Sequence, residues 1–149
     1  RPPLPGIKDI SRARTPLDTS LLAKLEPLQL TFADDADKTT LLRRAYLDLI
    51  GLPPSPESLQ RFLSDTGNSA WDTVINQLLD SPHYGERWGR HWLDVAGYAD
   101  SEGYSNKDTL RAWAYKYRDW VIRAFNTDLP FDQFITWQLA GDELTELPH

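Results

Sequence analysis

The sequence contains neither cysteine nor methionine. Without cysteine, the chain cannot form disulfides, thiolate zinc sites, iron–sulfur clusters or the covalent attachment of a c-type haem. Without methionine, it cannot supply a thioether as an axial haem ligand. We therefore expect no haem to be bound through residues of this chain.

Long apolar runs and a surplus of basic residues are also missing. No stretch approaches the roughly 18 apolar residues of a transmembrane helix, so we expect no membrane insertion. The formal net charge is −6 and the pI is about 5.0. Because binding to a phosphate backbone requires an excess of Lys and Arg, we expect no nucleic-acid partner.

The residues that are present predict an all-α fold. The chain has 149 residues, of which 40% are hydrophobic and 11% aromatic, enough for the core of one ordinary domain. Capping and periodicity predict a compact, bundle-like array of about seven helices with short Pro/Gly connections. Three of these helices begin at Pro16, Pro56 and Ala70, and four span about 38–50, 83–98, 109–126 and 131–140. We expect residues 1–14 to form an extended arm and residues 15–149 a helical domain.

The helix predicted over 83–98 carries the densest group of reactive side chains. At 100° per residue, four aromatic or apolar side chains share one arc and form the expected core face: Tyr84, Trp88, Trp92 and Val95. A second row lies directly beside that arc, at spacings of four, three and four residues: Arg87, His91, Asp94 and Tyr98. Glu86 and Arg90 should point away and form an i,i+4 ion pair.

Three interpretations of that second row remain open. In the structural one, the polar groups satisfy each other at the edge of the core, with Asp94 holding the His91 ring and Arg87 paired to a carboxylate elsewhere. In the catalytic one, His91 and Asp94 act as a general acid/base pair with Tyr98 nearby. In the third, a divalent metal is bound by three or more of His91, Asp94, Asp100, Glu102 and Asp142. The residues do not decide whether the chain is an enzyme.

Established site motifs give no further guidance. The sequence has no HExxH, no GxSxG and no P-loop. The acidic turn around Asp100 and Glu102 is not an EF-hand, because aligning Gly103 with the loop glycine of that motif puts Tyr98 at the first ligand position and Thr109 at the last. An acidic turn of this kind is more often a solvated connection between helices.

The helix predicted over 109–126 should contribute mainly to the core. Five of its residues share one arc: Trp113, Tyr117, Trp120, Val121 and Ala124. Arg118 flanks this arc and is expected to pair with Asp94 or Asp142. Exposed aromatic side chains beside carboxylates can bind sugar rings by stacking and hydrogen bonding. Tyr104 and Tyr115 are the aromatic residues that we expect to be exposed. The predicted binding residues are Arg87, Asp100, Glu102, Tyr104 and Arg118.

The segment Ser81-Pro82-His83-Tyr84-Gly85-Glu86-Arg87-Trp88 and its continuation resemble a known family. The chain is similar to the N-terminal portion of a planctomycete cytochrome-associated domain of unknown function, which commonly follows a c-type cytochrome domain in large exported proteins. The likeness is carried by residues 48–57, 79–88, 90–96, 98–104, 117–126 and 138–143. This sequence departs from the family pattern at Gly97, where arginine is usual, and at Tyr115, where tryptophan is usual.

The resemblance implies a helical module of an exported multidomain protein, periplasmic or on the cell surface, with neighbouring domains as partners. It implies proximity to redox or polysaccharide chemistry, places any haem in the neighbouring cytochrome domain, and implies a family domain longer than this chain. Our leading interpretation is a pocket around His91, Asp94, Tyr98, Asp100 and Arg118 that binds a small polar or carbohydrate ligand. The alternatives are a structural docking module and a fragment of a metal-dependent hydrolase or oxidoreductase.

Overall fold

A computed structural model describes residues 3–103 and 107–143, and this part of the chain is helical. It contains seven α-helices: α1 (Pro16–Leu25), α2 (Lys38–Leu49), α3 (Pro56–Ser64), α4 (Ala70–Leu79), α5 (Pro82–Val95), α6 (Ala114–Asn126) and α7 (Phe131–Ala140). Single 3-10 turns occupy Ile10–Arg12, Glu26–Leu28 and Gly141–Glu143. The prediction of an all-α fold with about seven helices is confirmed.

Helix starts follow the capping residues of the sequence. Thr15 and Asp18 form a capping box at the start of α1, and the Thr15 hydroxyl bond lowers the pKa of Asp18. Asp37 caps α2 by accepting the backbone N–H of Thr40, and this bond lowers the pKa of Asp37. Ser55 caps α3 in the same way, by accepting a backbone N–H three residues further on.

Two helix ends differ from the prediction. The helix α5 ends at Val95 instead of residue 98, because Gly97 adopts φ +65° and the Tyr98 amide turns back to the Leu93 carbonyl at 2.9 Å. The helix α6 begins at Ala114 instead of residue 109. Together these differences lengthen the connection between the two helices.

The chain divides into two compact units, residues 1–36 and 37–149. In the first unit, the backbone N–H groups of Lys8 and Asp9 donate to the carboxylate of Glu26. In the same unit, the guanidinium of Arg14 pairs with Asp35 at 2.5 Å. The division at residue 14 stays a prediction. No helix among the described residues is long and apolar enough to cross a membrane.

The second unit has two buried apolar clusters. Leu42, Phe62 and Ala70 join α2, α3 and α4 in one of them. The other joins α5, α6 and α7 through four buried residues: Leu93, Val121, Ala124 and Phe134. The cluster that joins α5, α6 and α7 supports the connection between α5 and α6, which is the longest of this unit. It therefore positions the candidate site.

The helices α5 and α6 run antiparallel and touch through backbone atoms. A Cβ atom added at Gly85 would lie 2.4 Å from the carbonyl oxygen of Ile122, so only glycine allows this approach. The Asn126 side chain accepts the Gly85 N–H at 2.7 Å and donates to the Pro82 carbonyl at 3.1 Å. This side chain therefore fixes the amino end of α5 to the carboxyl end of α6.

The predicted core face of α5 is only partly right: Trp92 packs against the cluster that joins α5, α6 and α7, but the other bulky positions do not decide the face. Val95 is 79% exposed and Trp88 is 38% exposed, whereas the buried positions are Gly85, Gly89 and Leu93. The true face is rotated by roughly a quarter turn from the predicted one at 100° per residue. The bulky side chains misled the prediction, because the contact with α6 is made where side chains are absent.

Candidate functional site

The connection between α5 and α6, residues 96–113, is by far the longest in the second unit. It has 18 residues, whereas the other connections between the helices of this unit have two to six. Its base is closed by antiparallel backbone pairing, in which the Arg111 N–H donates to the Asp100 carbonyl at 2.8 Å and the Glu102 N–H to the Thr109 carbonyl at 3.0 Å. Loops of this length in compact domains usually carry function.

A groove opens between this connection and the first turn of α6. Its volume is 430 Å³, which falls in the range of small-molecule sites. Small, aromatic and one basic side chain line it: Ala96, Gly97, Tyr98, Ala99, Arg111, Ala112, Trp113, Ala114 and Tyr117. Four alanines and one glycine leave the space that a flat ligand would need.

Trp113 lies on the groove wall and is the most exposed tryptophan among the described residues. Its side chain is 69% exposed, although the sequence placed it in the core of a longer helix. That prediction is wrong because Trp113 precedes α6 and its side chain does not follow the helical arc. The ammonium group of Lys116 lies 4.5 Å from the centre of its ring. Tyr115, predicted to be exposed, is 43% exposed.

A half-buried polar network holds Tyr117 at the groove. The Tyr117 hydroxyl donates to the side-chain oxygen of Gln138 at 2.5 Å. The Trp92 indole N–H reaches the same Tyr117 hydroxyl at 3.0 Å and the same Gln138 oxygen at 2.9 Å. Because the network joins α5, α6 and α7, the Tyr117 side chain of the groove is rigidly placed.

Tyr98 and Asp100 form a phenol–carboxylate pair beside the groove. The Tyr98 hydroxyl donates to the Asp100 carboxylate at 2.5 Å. This bond and the nearby negative charge raise the pKa of Tyr98, while the charge of Arg118 offsets part of the rise. The structure therefore brings together three residues that the sequence singled out.

The Asp100→Asn variant should titrate one tyrosine at lower pH than the wild type. The hydrogen bond to the Asp100 carboxylate is the main cause of the raised pKa of Tyr98, and asparagine is a weaker acceptor that also lacks the charge. A raised folded-state pKa means that the bond adds stability below the ordinary tyrosine pKa and loses it as the pH rises through the folded value. Absorbance titration of phenolate in the wild type, Asp100→Asn and Tyr98→Phe measures this change. An alkaline titration left unaltered by Asp100→Asn would contradict the pairing.

Arg118 has a different partner from the predicted ones. Its guanidinium pairs with the adjacent Asp119, with Nη2 at 2.9 Å and Nε at 3.0 Å from the same carboxylate oxygen. The predicted ion pair with Asp94 or Asp142 is not formed, because a carboxylate next in sequence satisfies the guanidinium first. Asp119 raises the pKa of Arg118.

The remaining residues of the predicted row on α5 face solvent. No hydrogen bond joins His91 to Asp94, and both are exposed. The His91 ring lies 5.4 Å from the Trp88 ring. The aliphatic part of the Arg87 side chain passes over Gly51. Its Cδ atom lies 3.0 Å from the position that a Cβ atom on residue 51 would take. These three positions lie opposite the true core face, which explains why they do not converge on the groove.

The predicted ion pair between Glu86 and Arg90 is also replaced. Glu86 accepts a hydrogen bond from the Nδ1 atom of His83 at 2.8 Å, one turn earlier on α5. Both side chains are about half exposed, so the pair contributes little to stability.

The predicted metal ligands are not gathered into one cluster in the described residues. Among 3–103 and 107–143, no three His, Asp or Glu side chains stand close enough to hold a metal ion. Asp142 lies on the turn after α7 and Glu102 on the connection, and both are exposed. Tyr104 lies outside the described residues. The assignment of metal, binding and catalytic roles to these residues stays a prediction.

The sequence matches the family described as PSCyt2, a protein of unknown function (DUF1549), over residues 16–149. The chain belongs to this family. The resemblance stated from the sequence is therefore confirmed at the level of the family. No curated protein and no solved structure matches the chain. All seven α-helices and the whole groove of this DUF1549 chain lie within the matched residues.

The sequence interpretation missed two residues of the groove, Trp113 and Arg111. No local signal marks the true start of α6, because the strong capping residues are Asp108 and Thr109, whereas the actual N-cap, Trp113, makes no side-chain capping bond. A later helix start would have placed Trp113 at its N-cap and Arg111 in the loop, where both are found.

Proposed function

We propose that the groove between the 96–113 connection and α6 binds a small polar or carbohydrate ligand. The observation that carries the proposal is a tryptophan 69% exposed on the wall of a 430 Å³ groove. Large aromatic side chains are costly to leave in water and are enriched where ligands are bound. Trp113 offers such a face, next to polar groups that can fix the orientation of a ligand.

The chemistry of the groove suits a hydroxylated ring. The apolar face of a sugar ring can stack on the indole of Trp113, while its hydroxyl groups find donors and acceptors around the edge. The Asp100 carboxylate and the Tyr98 hydroxyl supply such groups at one side of the groove. Arg111, whose backbone pairs with that of Asp100, lines the groove and supplies further donors. This arrangement explains a binding role without requiring catalysis.

The setting of the module is a further part of the proposal. The family resemblance supports an exported, cytochrome c-associated multidomain protein, periplasmic or on the cell surface, whose other domains are the partners of this one. In that setting, the groove would hold a ligand for chemistry carried out by a neighbouring domain. Any haem would reside in that neighbour.

A second candidate function is the docking of another domain. It is favoured by large apolar side chains that are strongly exposed in the second unit: Val95 at 79%, Leu110 at 79%, Phe131 at 68% and Leu139 at 81%. Exposed apolar patches often mark protein interfaces. In this case the module would bind its neighbours and not a free ligand.

The Trp113→Ala variant is expected to lose about tenfold or more in affinity for the oligosaccharide that the wild type binds, as for the removal of a central aromatic contact. The measurement is a fluorescence and calorimetric titration with a panel of neutral and acidic oligosaccharides. Trp88→Ala is the matched control, because Trp88 is a partly exposed tryptophan outside the groove. Thermal melting checks that both variants fold.

Binding that survives in Trp113→Ala would assign the ligand to another surface. A panel in which no saccharide binds the wild type would favour the docking function instead.

A further inference from the structure

Basic residues concentrate in the segment that forms one wall of the groove. The whole chain has a formal net charge of −6. Residues 107–123 nevertheless carry five basic side chains against two acidic ones: Lys107, Arg111, Lys116, Arg118 and Arg123 against Asp108 and Asp119. The residues that lead into the opposite wall include Asp100 and Glu102, so the positive charge is confined to the α6 side of the groove.

Two acidic groups near the groove are already engaged. The Asp100 carboxylate accepts the Tyr98 hydroxyl, and the Asp119 carboxylate holds Arg118. By contrast, no salt bridge within the described part of the chain involves Arg111 or Lys116. Arg111 lines the groove and is thus available to a ligand, whereas the ammonium of Lys116 already lies over one face of the Trp113 ring, 4.5 Å from its centre.

We propose that the ligand of the groove is a saccharide that carries a carboxylate, such as a uronic acid residue. Its ring stacks on the face of Trp113 opposite Lys116, and its carboxylate binds the guanidinium of Arg111. A planar guanidinium matches a carboxylate with two parallel N–H bonds, which also fixes the orientation of the ring. The ammonium of Lys116 adds attraction without a directional preference. This inference rests on the proposed function and names the class of its ligand.

The charge requirement separates this ligand from neutral sugars. A bidentate charge-assisted pair should change affinity by about ten- to a hundredfold. Because Arg111 is exposed, added salt should weaken binding of the acidic ligand and leave that of a neutral one unchanged.

The experiment compares oligogalacturonates with their methyl esters, which keep the same backbone and lose the charge. Each is titrated into the intact chain by calorimetry, at low and high salt. The acid is expected to bind at least about tenfold more tightly than the ester. Arg111→Gln should reduce the affinity for the acid to that for the ester. Arg123→Gln removes the same charge from an exposed position of α6 outside the groove and should change neither affinity.

The outcomes separate this inference from the proposed function. Equal binding of the acid and the ester, or tighter binding of a neutral oligosaccharide, would overturn the inference and leave the saccharide groove in place. An acid that binds Arg111→Gln as well as the wild type would also overturn it. Absence of binding by the acid, the ester and every neutral oligosaccharide would overturn both.

Discussion

Replacing Phe134 by alanine should lower the free energy of unfolding by about 3–5 kcal/mol. Phe134 is 4% exposed and lies at the centre of the cluster that joins α5, α6 and α7. Its ring centre lies 4.9 Å from that of Trp92, 5.1 Å from that of Trp120 and 5.8 Å from that of Phe125. Truncation would remove these aromatic contacts and leave a cavity that three rings cannot close.

Urea denaturation followed by tryptophan fluorescence and circular dichroism measures this loss. The matched control is Phe131→Ala on the same helix, because Phe131 is 68% exposed. Substitutions at exposed positions usually change stability by about 0.5 kcal/mol or less. Equal losses for the two variants would mean that α7 is not packed through Phe134.

Replacing Gly85 by alanine should cost about 2–4 kcal/mol. The added methyl carbon would stand 2.4 Å from the Ile122 carbonyl oxygen and 2.6 Å from the Asn126 side-chain oxygen. The first of these atoms belongs to the backbone of α6, so the two helices must move apart. The second accepts the Gly85 N–H at 2.7 Å, and that bond would be strained or lost.

Gly89→Ala is the control that isolates the close approach. A methyl carbon there would lie 3.4 Å from a Val121 methyl group and 3.5 Å from an Ile122 side-chain carbon, which is ordinary contact. Alanine is also the better helix former by about 1 kcal/mol, so this variant should be about as stable as the wild type. Equal destabilisation at Gly85 and Gly89 would show that volume, and not the backbone contact, decides the packing.

Local signals in the sequence were sufficient for the number and the starts of most helices. The hydroxyl and carboxylate caps at Thr15, Asp37 and Ser55 all act on backbone N–H groups of their own first turns. Such signals depend on residues three or four positions apart, and the sequence displays them directly. For the same reason, the all-α class could be predicted without any knowledge of packing.

The orientation of α5 could not be predicted in this way. A helical wheel weights each position by its side chain, so Tyr84 and Trp88 outweigh Gly85 and Gly89. Packing against α6 follows the opposite rule, because the helices approach most closely where side chains are missing. The spacing of the two glycines by four residues was the available sign, and it was outweighed by the aromatic residues.

The candidate site was predicted in part. Tyr98 and Asp100 are two residues apart in a loop, so their proximity follows from the chain itself, and both were among the predicted residues. The exposure of Trp113 depends on where α6 begins, whereas the partner of Arg118 is the carboxylate next to it in sequence. That boundary is linked to the backbone pairing of residues 100–102 with 109–111. The pairing could not be predicted, because these segments show no alternation of apolar and polar residues.

The hydrogen bonds of Asn126 fix the amino end of α5, so a tilt of this helix would pivot about that end. The groove lies about eleven residues along α5 from Gly85, or roughly 16 Å at 1.5 Å per residue. Tilting α5 by about 10° around the Asn126 contact would shift the groove wall by about 3 Å. The two glycines that hold the helices in contact therefore set the width of a site that they do not touch.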